Sequence, residues 1–563
     1  MNYITDKYII TTSLEATDLQ FMSDTNSTAN PKPNGAITDL AKRVRVNQKK
    51  LVSELRPRYD FIVCGSGSSG SVVARRLAEN PAVSVLLLEA GGDDDLPSIS
   101  DGRQWAGNLK TERDWNFQTR PNPHLSGRSD SLAAGKVLGG GSSINAMAWA
   151  RGHKSDWDYF AHEAGDPAWS YDSVLKIYRR IEDWQGAPDP DHRGTGGLLF
   201  INSGIGSGPI VPAMFEGTRS VGIPTFDSIN GRMMEGPGGC SLIEFRMRDW
   251  QRLSIFRSYT FPYMDRPNLT VLTSAPVTRL IFEGRRVTGV EFTYDDRVHR
   301  IGAGFEVVLS LGAINTPKVL MQSGVGDQAE LHRFGIPLVE HLPGVGQNLQ
   351  DHVALPGMIW ECCGDEPNAA FHWFWKSDPS LDTPDLQTTQ APLEMTGLKK
   401  VNPTLPASAW MMLPAVIRTK SRGRVRLTGP GSLDPADIES NLLSHPDDLK
   451  ALVAVVELCR EIGNSVALHP FLKQEVVPGN VKGSALENYL RNTAVSWWHQ
   501  TCTAKMGRDS LSVVDANLKV YGIENLRIAD GSIMPRVTTG NTMAPCVVIG
   551  ERAAQAIRAA YKL

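Results

Sequence analysis

The chain has 563 residues, a formal net charge of −3 and 41% hydrophobic residues, enough for two to four domains around substantial cores. Basic and acidic residues nearly cancel and no basic block stands out, so nothing in the charge pattern points to nucleic acid or an anionic membrane, and a small-molecule ligand is expected. Seven cysteines, an odd number without CxxC spacing, argue against a disulfide framework and a zinc site, and no metal is expected.

Residues 1–57 read as an N-terminal extension. They show neither a cationic start with a long apolar run nor a small-residue exit site, and no stretch of the chain reaches the length of a spanning helix, so a cytoplasmic protein without a transmembrane segment is expected. From Ala36 to Leu55, Ile37, Leu40, Ala41, Val44, Leu51 and Leu55 recur at helical spacing. A packed arm, a contact to another subunit of a homo-oligomer and a partly ordered extension all remain open.

The folded body starts at Arg58. Tyr59 to Cys64 is apolar and β-branched, as suits a buried parallel strand, and Gly65, Gly67 and Gly70 then give G-x-G-x-x-G before a helical stretch, Ser71 to Glu79. A second apolar strand, Val83 to Leu88, ends at Glu89. Strand, glycine turn, helix, strand and acid in this order describe a dinucleotide site: the helix N-terminus faces a pyrophosphate and Glu89 accepts from ribose hydroxyls. An unphosphorylated ribose, as in FAD or NAD, fits the acid better than NADP.

Three later segments add to this. The run Gly135 to Ser143, GKVLGGGSS, can take unusual dihedrals and bring backbone close to a flat ring system, although such loops also serve as plain turns. Leu526 to Asp530 is strand-like and puts Asp530 where open α/β sheets place ligand-contacting residues. From Ala544 the pattern is helical, with Pro545 in the first turn.

Together with Ile144, Asn145, Trp149, Gly152 and Asp158 after the glycine loop, the run Gly312 to Gly326, and His499 to Gly507, these segments resemble the glucose-methanol-choline (GMC) oxidoreductase family over Arg58 to Leu563. The resemblance implies an α/β architecture, a Rossmann-like FAD-binding domain with an interleaved α+β substrate-binding cap that contains an antiparallel sheet. The cofactor domain is expected at 58–156, 267–351 and 499–563, and the cap at 157–266 and 352–498. It implies FAD held by Gly65, Gly67, Ser69, Gly70, Glu89, Ala90, Gly141, Asn145, Ala146, Ala148, Val277, Asp530, Gly531, Thr542 and Met543. The helix from Ala544 would aim its positive end at the flavin. Some family members attach FAD through a His directly before the position of Asn145; here Ile144 stands there, so noncovalent FAD is expected.

The family resemblance also implies that His499 accepts the hydroxyl proton of an alcohol, Asn541 donates to the developing alkoxide, and hydride passes to flavin N5; a neutral imidazole suits the first role. Trp373, Trp375 and Trp498 are expected to wall the substrate pocket, which suits aryl or furanyl primary alcohols, as in aryl-alcohol and hydroxymethylfurfural oxidases. The same residues could instead be core. Bacterial choline dehydrogenases are similar too, and Glu361, Asp365 and Glu366 are candidates for a choline cage. The electron acceptor, oxygen or a quinone, stays open, as do another aliphatic alcohol and the hydroxynitrile lyase and fatty-acid photodecarboxylase activities of the same scaffold.

Overall fold

The structure, a computed structural model, describes residues 35–365, 368–393 and 404–563. Two sheets organise it. The first has the strand order Leu269–Leu272, Val85–Leu88, Arg58–Cys64, Arg297–Leu309, Arg286–Tyr294 and Val277–Glu283, with Leu526–Ile528 also paired to Arg297–Leu309. The strands from Leu269–Leu272 through Arg297–Leu309, and Leu526–Ile528 beyond them, pair in parallel, while the last two strands of that order form an antiparallel meander. Phe61, Ile62, Val63, Val85, Leu86 and Leu87 are fully buried, as expected of parallel strands covered on both faces.

Helix Ser68–Ala78 leaves the first strand through Gly65 and Gly67 and packs against the C-terminal helix Met543–Tyr561. The crossing is close: a Cβ on Gly550 would lie 2.7 Å from Ser69 O, and Ser69 Oγ donates to Cys546 O (2.6 Å). Both helices therefore start side by side at one end of the sheet. Neither has a side-chain cap on its first turn, so their leading amides are free to face a ligand.

The second sheet is antiparallel, in the order Leu472–Val477, Met358–Cys362, Ala409–Val416, Leu386–Pro392, Phe371–Trp375 and Gly239–Leu242; Val353–Ala354 bridges Ala409–Val416 to Val495–Ser496. The pleat gives it two faces. One, with Trp360, Phe371, Trp373 and Trp410, is covered by Leu452, Val455, Val456 and Ile462 of the long helix Pro446–Gly463. The other carries His372, Thr389 and Leu413 and closes over the first sheet.

The N-terminal helix Gly35–Ser53 packs on its own chain at the sheet edge, with Val44 in the first core. Gln48 stands in for a missing strand: its Nε2 donates to Leu269 O (2.9 Å) and its Oε1 accepts from Val271 N (2.9 Å). Among the described residues no helix is long and apolar enough to cross a membrane.

Candidate active site

A cavity of about 430 Å³ runs from the two helix starts to the second sheet. At one end, Gly65, Gly67, Ser69, Glu89 and Ala90 line it. Glu89 is buried, and burial pushes its pKa up, opposed by Ser66 and the Gly91 amide; Ser66 N and Oγ and Gly91 N all donate to its carboxylate. Gly70 lies behind the wall, where a Cβ would sit 1.9 Å from Gly65 O; it serves the close packing of helix on strand. Val277 also lies outside the lining, although Ala275, two residues earlier, donates its amide to Glu89 O (2.8 Å).

The middle of the cavity is made by the glycine-rich loop. Gly140 has φ +53, and a Cβ there would meet Gly67 Cα at 2.8 Å, so the two glycine turns touch through backbone alone. Gly141, Asn145, Ala146, Ala148, Asp530, Gly531, Thr542 and Met543 line this stretch, where Asn145 Nδ2 reaches Met543 Sδ (3.2 Å). Asp530 accepts from Gly312 N, Thr316 Oγ1 and Ser532 N and so ties the helix that starts at Gly312 to its own turn; burial pushes its pKa up, opposed by those bonds.

At the far end, His499 and Asn541 meet: Asn541 Nδ2 donates to His499 Nε2 (3.3 Å). With Nε2 accepting, the proton of the neutral ring sits on Nδ1 and is donated to His352 Nδ1 (2.9 Å). Burial lowers the His499 pKa to about 4 and that of His352 well below the usual value, so both rings are neutral at neutral pH. His499 follows Trp498, whose φ of +60 is rare for a bulky residue. Hydrogen bonds hold this turn: Trp498 N donates to Ser496 Oγ (2.9 Å), Ser496 Oγ donates to Asp351 Oδ2 (2.5 Å), and His499 N donates to Asp351 Oδ1 (2.9 Å). Burial raises the Asp351 pKa to about 7.

Two expectations about the pocket wall need correction. Trp373 and Trp375 do not line the cavity; the pleat turns them to the opposite face, where Trp373 is fully buried and Trp375 packs on the same core. His372, between them, faces inward with Nε2 bonded to Thr389 Oγ1 (2.8 Å), and burial lowers its pKa to about 3. Trp498 does line the cavity, 38% exposed, with Trp105 at a ring distance of 6.5 Å. Glu361 is at the surface, bonded to Lys473 and Gln474; Asp365 is not in the lining, and Glu366 falls outside the described residues.

His352, Asp351 and His372 are site residues that the sequence reading missed. The adjacent Asp351-His352 pair was the one available signal, and it fell on an assumed domain boundary.

Comparison with known proteins agrees with this architecture. Family models described as GMC oxidoreductase match residues 59–354 and 419–550. The mitochondrial choline dehydrogenase of Mus musculus is 35% identical over 550 residues, covering 91% of each chain. An alcohol dehydrogenase [acceptor] of Pseudomonas putida is 35% identical over 535 residues, 89% of this chain and 95% of that one. The crystal structure of pyridoxine 4-oxidase from Mesorbium loti superposes with a TM-score of 0.81 at 29% identity, over 88% of this chain and 99% of that one.

Proposed function

Because the chain belongs to the GMC oxidoreductase family, FAD-dependent enzymes acting on CH–OH donors, we propose that it oxidises an uncharged, aromatic or furanyl primary alcohol to the aldehyde with His499 as base. FAD fits the cavity by an observation independent of kinship. A Cβ built on Gly67, Gly141 or Gly312 would meet no protein atom within 4 Å, and all three line the cavity, so the wall stays flat where a planar ring system and its pyrophosphate need close approach. Gly65, Gly67, Ser69, Glu89 and Ala90 would hold the adenosine and phosphate end. Asn145, Ala146, Ala148, Asp530, Gly531, Thr542 and Met543 would hold the ring end, and Gly70 and Val277 would act from behind the wall. Ile144 offers no nucleophile, which supports noncovalent attachment. Residues 58–156, 267–351 and 499–563 would form the cofactor domain and 157–266 and 352–498 the cap, as the two sheets draw their strands from those segments.

Bound FAD supplies a two-electron acceptor for the hydride leaving the carbinol carbon. The chain supplies the rest. His499 Nε2 takes the hydroxyl proton, its tautomer fixed by the bond to His352. The alcohol hydroxyl would replace Asn541 Nδ2 on the single Nε2 lone pair, and the freed amide N–H would donate to the oxygen as negative charge builds on it.

The observation that carries the substrate class is the wall. Trp105, Trp115, Phe117, Trp497 and Trp498 line the cavity, and among the described residues its carboxylates are Glu89 at one end and Asp530 in the middle, both already hydrogen-bonded. Flat apolar walls favour aryl groups over polyols, whose hydroxyls would each need a partner. Choline is the second reading. It is favoured by the 34–35% identity to choline dehydrogenases and by the Trp105–Trp498 pair, tilted at 63°, which suits a cation–π cage. Steady-state assays with benzyl alcohol, furfuryl alcohol and choline, each with oxygen and with a quinone acceptor, decide between them. At least a tenfold higher kcat/KM for the aryl or furanyl alcohols is expected; preference for choline would overturn this substrate class.

A further inference from the structure

Arg252 is a buried cation with no counter-charge among the described residues. Its Nε donates to Ile99 O (2.9 Å), its Nη1 to Ser142 O (3.2 Å) and Asn145 Oδ1 (3.0 Å), and its Nη2 is buried without a partner among the described residues. No carboxylate lies within ion-pair distance of it among the described residues. Arg151 and Arg193, by contrast, share Glu182, Arg193 also meets Glu244, and Arg527 meets Glu306; Arg246 likewise has no carboxylate partner among the described residues, but it bonds to Phe200 O, Leu253 O and Ser258 Oγ and does not contact the residues that line the cavity through a side-chain hydrogen bond. Burial lowers the Arg252 pKa to about 9, which leaves it charged at neutral pH. An isolated buried charge is costly, so its retention calls for an interaction that the protein atoms around it do not provide.

The position of Arg252 indicates what that interaction is. Ser142 and Asn145, which receive its Nη1 bonds, line the cavity. Asn145 Oδ1 is held by Arg252 and by Met147 N (3.0 Å), so the amide turns its Nδ2 toward Met543 Sδ (3.2 Å), at the head of the C-terminal helix. The positive end of that helix and the guanidinium therefore converge on one wall. Accepting a hydride adds two electrons and one proton to a neutral acceptor and leaves it with one negative charge. We infer that Arg252 is a positioning residue which, through Asn145, sets a fixed positive charge behind this wall and makes a flavin bound there easier to reduce. This inference rests on the FAD reading above and not on the identity of the alcohol.

The test is the two-electron midpoint potential of the FAD-loaded enzyme, titrated with dithionite and mediator dyes so that no alcohol is needed. Arg252→Gln keeps a donor for Asn145 and removes the charge; the reduction equilibrium is expected to fall at least tenfold, about 30 mV for a two-electron couple. Arg252→Lys keeps the charge and is expected to stay within threefold of wild type. Asn145→Ala cuts the link, and a severalfold fall is expected even if Arg252→Gln fails to fold. An unchanged potential in Arg252→Gln, or an equal fall in Arg252→Lys, would overturn the inference; with neither Arg252 variant folded, an unchanged potential in Asn145→Ala would do so. Purified wild-type protein without flavin would defeat the FAD reading instead.

Discussion

His499 sits between two partners that divide its ring. Asn541 faces Nε2 and His352 faces Nδ1, so the proton is kept on the side away from the cavity and the lone pair on the side toward it. Two consequences follow at this scale. With its pKa lowered to about 4 by burial, His499 is protonated only in acid; its own titration should give kcat/KM a limb near pH 4, where an ordinary histidine would give one near 6.5. His352→Leu removes the acceptor for Nδ1–H and should lower kcat roughly tenfold or more, while His352→Asn, which offers a carbonyl oxygen, should recover most of it. The pH profile of all three proteins checks this; a His352→Leu enzyme with wild-type kcat and acid limb would show that His352 merely packs.

Whole elements were legible in the sequence wherever several local signals agreed. The run from Tyr59 to Glu89 combines apolar strands, a glycine turn and a helix, and the structure has strands Arg58–Cys64 and Val85–Leu88 around helix Ser68–Ala78. The C-terminal helix was equally clear from its periodicity. The Phe371–Trp375 strand was not: FHWFW has no polar and apolar alternation, so nothing local says which face turns inward. The core that this sheet shares with the covering helix Pro446–Gly463 settles it by enclosing Trp373, and its members come from segments more than seventy positions apart. Trp373→Ala should accordingly cost about 3–5 kcal/mol of stability with little change in alcohol KM, measured by denaturant unfolding and steady-state kinetics. A large rise in KM at unchanged stability would return Trp373 to the pocket wall. The partner of the N-terminal helix was also out of reach, because Gln48 bonds to a strand more than two hundred residues later.

Across the whole molecule, the parallel sheet and its two helix starts make a cradle, and the antiparallel sheet closes over it with His372, Thr389 and Leu413. The cofactor end of this cavity was readable because glycine turns and a strand-end acid carry their meaning within some thirty residues. The reactive end was readable only in part. His499 and Asn541 stand out within segments that resemble the family, whereas His352 reaches His499 across 147 positions, and Arg252 reaches Asn145 across 107. The first contact follows the pairing of Val353–Ala354 with Val495–Ser496, and both join segments too far apart for a local pattern to show them.

The proposal that His499 abstracts the alcohol proton has one direct measurement, the rate at which an excess of benzyl alcohol bleaches the bound FAD under anaerobic conditions. In His499→Ala that rate should fall by about 10²–10⁴ relative to wild type, with FAD content unchanged. A His499→Ala enzyme that carries full FAD and is reduced at the wild-type rate would contradict the account.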